Sequence, residues 1–114
     1  MCSEPRSIVL TLHKMMPRFS YGVTNYPPRR FEQLLGHLMD QGFSLSREIV
    51  ISFDDAYAHL TEVIPSLMKR YGFRPIIFVP TGWIGQPNDW DYSRVVQRTP
   101  HMRFEDIQCL ADAG

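Results

Sequence analysis

Asp54 and Asp55 stand side by side at the end of IVISF, residues 49–53, a run otherwise suited to a buried β-strand. Adjacent carboxylates repel one another, and burying both in ionised form is costly unless a cation or hydrogen-bond donors compensate. A divalent metal supplies that compensation: one carboxylate binds it while the other stays free to take a proton from a water. The plainer reading is that the two aspartates cap the next helix or open a turn, since Asp is common at both. That reading suits a lone Asp. Two in succession at a strand's carboxyl end, followed by the small Ala56, point instead to metal-and-base chemistry.

Such a pair needs elements to hold it. IVLTLH, residues 8–13, reads as a first strand ending near His13, and MMPRFSYGVTNYPP as a long loop with Pro, Gly and Asn but no periodicity. From Arg29, the apolar residues Phe31, Leu34, Leu35, Leu38 and Met39 repeat at helical spacing, with Gly42 placed to end the helix. The second strand is Ile49 to Phe53. Leu60, Val63, Ile64, Leu67, Met68 and Tyr71 follow at helical spacing up to Gly72, with Pro65 inside the pattern. A proline is tolerated in a first turn, so the spacing predicts a loose turn to Ile64 and a helix beginning at Pro65. PIIFVP, residues 75–80, predicts a third apolar strand, and residues 81–101 a polar loop holding both tryptophans. In MRFEDIQCLADAG, Phe104, Ile107, Leu110 and Ala111 share one helical face.

Short apolar strands alternating with amphipathic helices predict an α/β protein with a parallel sheet joined by right-handed crossovers. In such sheets and barrels ligands gather beyond the carboxyl ends of the strands. Here those ends offer His13, then Asp54 and Asp55, then Thr81, Gly82 and Trp83. His13 lines the pocket on this reading, or is a hydrogen-bonded structural histidine. Trp83 and Trp90 could stack on sugar rings or sit in the core. Thr81 and Gly82 could present backbone donors to a substrate oxygen or simply form a tight turn. His37 reads as a solvated helix residue, and His59 and His101 as polar residues flanking helices.

The 114 residues carry 12 Lys and Arg against 12 Asp and Glu, so no basic field draws nucleic acid or an anionic membrane. A hydrophobic content of 44% fits one globular domain with a real core. Cys2 and Cys109 lack ligand spacing and read as reduced thiols. MCSEPRS has no basic n-region, and the apolar stretch after it is short, so neither signal peptide nor membrane span is expected. As written, the chain is expected in the cytoplasm.

SFDDAY, residues 52–57, resembles the first motif of the polysaccharide deacetylases, the NodB-homology carbohydrate esterases, usually written TFDDG. LTLHKM resembles the family's first strand, FEQLLGHLMDQGF its first helix and turn, RPIIFVPTGWIG its third strand and the turn after it, and MRFEDIQCLADAG the helix before its second motif. The resemblance runs from Ile8 to Gly114, and SFDD with FVPTGWIG is far more specific than either alone. It implies the first half of a distorted (β/α) barrel and metal-dependent removal of N-acetyl or O-acetyl groups from a carbohydrate. By position, Asp54 corresponds to the catalytic base and Asp55 to the carboxylate ligand of the metal, expected to be zinc. Ala56 departs from the family's glycine.

The family's remaining ligands are two histidines of an HxxxH motif beyond the helix that ends here at Gly114, and its later motifs follow them. His13, His37, His59 and His101 are too widely spaced to replace that pair. Residues 1–114 are therefore expected to hold about half of the domain, with weak or no metal binding and self-association through an open sheet edge. A non-catalytic fragment that acts as a binding or interaction module is the alternative. A phosphoacceptor receiver domain also uses an acidic pair, but there the pair follows the first strand, and here it follows the second.

Overall fold

The computed structural model describes residues 7–17, 25–87 and 99–114. Cys2, Trp90 and the middle of the loop after the third strand lie outside the described residues. The elements run β1 (Ile8–Leu12), α1 (Pro28–Asp40), β2 (Ile49–Phe53), α2 (Leu60–Tyr71), β3 (Ile76–Ile77), a 3₁₀ turn (Thr81–Trp83) and α3 (Phe104–Asp112). The three strands are parallel in the order β1-β2-β3, with Leu10 beside Ile51, Leu12 beside Phe53, and Phe53 beside Ile77. This is the α/β alternation of part of a (β/α) barrel.

Period-two alternation divides the sheet into two faces. Leu10, Leu12, Ile51 and Phe53 share the face that α1 and α2 cover, where Phe31, Leu35, Leu60, Ile64 and Leu67 complete the core. Phe31 meets Phe53 and Phe73 edge-on, at centroid separations of 6.3 and 6.0 Å. On the other face Thr11 and Ser52 hydroxyls bond at 3.0 Å, while Val9 and Ile76 are exposed, as is Phe78 just past β3.

Gly42 ends α1 in the left-handed region, φ 88°. Its N–H bonds the Met39 carbonyl, and the Phe43 N–H bonds the Leu38 carbonyl, the pair of bonds that makes a Schellman close. Gly72, φ 75°, closes α2 in the same region.

Three expectations are corrected. The second helix begins at Leu60, so Pro65 lies inside it and leaves the Thr61 carbonyl without its usual donor. Leu60 and Ile64 are both 0% exposed, and burying this i,i+4 pair outweighs the local penalty of the proline. The third strand is confined to Ile76–Ile77, because Ile76 and Phe78 face outward where no described residue covers them. Phe104 is 71% exposed, leaving Ile107 and Leu110 to pack α3 against the core. Asp106 caps this helix by accepting the Arg103 backbone N–H at 2.9 Å.

Candidate active site at the carboxyl ends of the strands

The ladder carries the site into place. Past the Leu12–Phe53 pair the Asp54 N–H still bonds the Leu12 carbonyl at 2.8 Å, so His13 and Asp54 leave neighbouring strands together. Their side chains meet with His13 Nε2 3.6 Å from Asp54 Oδ2, each about a third exposed. Both are thus within reach of water and of a ligand at the open end of the sheet.

Asp55 and Ala56 then turn the chain sharply. Both are left-handed, φ 71° and 44°, although neither is glycine. Such conformations cost on the order of 1–3 kcal/mol each and persist where surrounding contacts enforce them. Those contacts come from the segment before α3. His101 Nδ1 donates to the Asp55 carbonyl, the Met102 N–H donates to the Ala56 carbonyl at 2.7 Å, and the Ala58 N–H bonds the Pro100 carbonyl at 2.9 Å.

A ladder of rings backs the turn. Tyr57, 1% exposed, stacks on His101 at 5.0 Å and on His59 at 6.1 Å, and Trp83 tilts against His101 at 6.3 Å. The buried Lys14 places Nζ 5.3 Å from the centre of the Tyr57 ring, a cation–π contact. His59 Nε2 accepts the Met15 N–H at 2.9 Å, so in the neutral ring the proton sits on Nδ1. Burial, and then the charge of Lys14, push the His59 pKa down to about 4.

Of the residues singled out from sequence, the structure pairs His13 with Asp54, sets Asp55 next to them, and brings Trp83 against His101 behind the turn. Thr81 and Gly82 occupy the exposed 3₁₀ turn beyond β3. A cavity of about 540 Å³ runs along β1 to His13, walled by Asn25, Tyr26 and Leu34. A smaller apolar cavity of about 190 Å³, between Ile64, Met68, Ile77, Val79, Met102 and Leu110, lies away from the aspartates.

No family model matches the sequence, and neither does any curated protein. Solved structures do. A de-N-acetylase from Aggregatibacter actinomycetemcomitans superimposes with a TM-score of 0.72 over 93% of this chain at 18% identity, and IcaB from Ammonifex degensii with 0.73 over 97% at 19% identity. The chain has the fold of the de-N-acetylases. It spans 50% of the length of each of these two.

That fold raises the question of a metal. Among the described residues no three His, Cys, Asp or Glu side chains come together as a metal site. Zinc takes four ligands in structural sites and three protein ligands in catalytic ones, so the donors described here do not make a zinc site. They offer carboxylates, with His13 already facing Asp54.

Sequence reasoning missed Lys14, Tyr57, His59 and His101 as parts of the site. Tyr57 and His59 follow the acidic pair directly, a proximity that could have singled them out. Nothing local marks His101, whose bond to Asp55 spans 46 residues.

Proposed function

We propose that this chain carries the base-bearing part of a carbohydrate deacetylase site, acting on N-acetyl or O-acetyl groups. The observation that supports this most is the placement of Asp54 and Asp55 at the carboxyl end of the central strand, on a de-N-acetylase fold. Asp54, exposed and faced by His13, is the general base. It takes a proton from a water that adds to the acetyl carbonyl; the tetrahedral adduct collapses, that proton passes to the departing nitrogen or oxygen as the C–N or C–O bond breaks, and acetate and the freed amine or hydroxyl leave. His13 holds the Asp54 carboxylate toward that water. Asp55 would contribute one carboxylate ligand to a divalent cation, zinc on the family resemblance, whose other ligands are not among the described residues, so affinity in this chain alone would lie far below that of a complete three-ligand site.

A second reading is a binding module without turnover, because the chain spans half the length of each of the two similar structures. Calorimetric titration with zinc, joined to an acetate-release assay on acetylated chito-oligosaccharides, separates the possibilities. Weak zinc binding abolished by Asp55→Ala supports the ligand role, and binding indifferent to that substitution overturns it. Acetate release that survives Asp54→Asn overturns the base. Residues 1–114 alone are expected to release no acetate under either reading; release by a version extended through the family's HxxxH motif supports the deacetylase, and none from that version selects the binding module.

A further inference from the structure

We propose that His101 is a positioning residue for Asp55: its Nδ1–H locks the left-handed turn that aims the Asp55 carboxylate. The importance of that aim rests on the function proposed above; the lock itself rests on geometry alone. A carbonyl oxygen has no hydrogen to give, so the contact between His101 Nδ1 and the Asp55 oxygen requires the proton on Nδ1. The next carbonyl along, that of Ala56, takes the Met102 N–H at 2.7 Å. Consecutive donors from His101 and Met102 thus hold the two consecutive peptide groups whose residues are strained, φ 71° and 44°.

The clamp is itself held from behind. The His101 N–H bonds the Gln86 carbonyl at 2.8 Å, and the Gly85 N–H bonds the Met102 carbonyl at 2.9 Å. His101 is 2% exposed, and Tyr57 lies nearly parallel to it, at 18°, which fixes the plane in which the ring can donate. Were Asp55 to relax to negative φ, its side chain would leave the strand end in a different direction. Backbone outliers kept at such a place point to a purpose beyond connecting β2 to α2.

Two substitutions separate the hydrogen bond from the stacking. His101→Asn keeps a donor near the Nδ1 position without the ring, and His101→Phe keeps the ring without the donor. In the 114-residue chain, the three-bond couplings of the Asp55 and Ala56 Hα to the preceding carbonyl carbon, several-fold larger at these positive φ values than at negative φ, report the sign of φ, with neither cation nor substrate added. His101→Asn is expected to keep the wild-type couplings. His101→Phe is expected to shift both toward values for negative φ and to cut the exchange protection of the Met102 amide by up to about tenfold, the factor one lost hydrogen bond produces, while Ile51 stays protected. Wild-type couplings in His101→Phe, or their loss in His101→Asn alone, overturn the proposal. Should the phenylalanine variant fail to fold, the wild-type protein still decides: a slowly exchanging Nδ1–H resonance of His101 supports the lock, and its absence overturns it. Failure of Asp54-dependent acetate release in the extended chain would defeat the deacetylase reading and leave these outcomes unchanged.

Discussion

His13 and Asp54 face one another from the ends of adjacent parallel strands, with Nε2 3.6 Å from Oδ2. The register of the β1–β2 ladder produces the meeting, since each residue directly follows the Leu12–Phe53 pair. Partly exposed pairs of this kind contribute about 0–1 kcal/mol to stability. Asp54→Asn and His13→Gln are accordingly expected to change the free energy of unfolding by less than about 1 kcal/mol in urea titrations. A larger loss in either would make the pair structural.

Ala56 sits at φ 44° with 1% of its surface exposed. Glycine adopts that conformation without strain, and the relief exceeds the entropy it adds to the unfolded chain. Ala56→Gly should therefore stabilise the protein by about 1 kcal/mol, whereas Ala56→Val, branched at a buried left-handed position, should cost about 2 kcal/mol or more. Chemical denaturation of the three proteins checks the order, and a glycine variant less stable than wild type refutes it.

His59 titrates near 4 in the folded protein against an ordinary 6.5, because burial and then Lys14 disfavour its charged form. Between those values the unfolded chain binds the proton and the folded chain does not. Stability from this group is complete above about pH 6.5 and is lost as the pH falls toward 4, by on the order of 3 kcal/mol. His59→Gln keeps an acceptor for the Met15 N–H but cannot titrate. Its stability should fall less than that of wild type between pH 7 and pH 4, and equal slopes would show that His59 is not the source.

The β1 and β3 edges, with exposed Val9, Ile76 and Phe78, offer both backbone groups and apolar surface to another molecule. Sedimentation velocity of the purified chain should show concentration-dependent self-association. A monomer at all concentrations would run against it.

Much of this fold is legible locally. The stripe that begins at Phe31 gives α1, Gly42 ends it, and the mostly apolar run from Ile49 gives a central strand. Local rules failed where tertiary burial outweighed them. Pro65 reads as a helix start, yet the core claims Leu60 one turn earlier; Ile76 and Phe78 read as a buried strand, yet both are exposed. The site divides the same way. Asp54 and Asp55 are visible because two carboxylates adjoin at a strand end, and His13 because parallel register aligns strand ends. The clamp on Asp55 is invisible, because its donors come from a segment 46 residues away that carries no motif of its own.

The uncovered sheet face also sets how this chain responds to temperature. The heat capacity of unfolding comes mainly from apolar surface newly exposed to water, and Val9, Ile76 and Phe78 are largely hydrated before unfolding begins. A monomer of this chain therefore has a shallower stability curve than a closed domain of equal length, and a smaller response to denaturant for the same reason. Covering that face would steepen both, so calorimetry would register its burial as a change in curvature before any change in structure was seen.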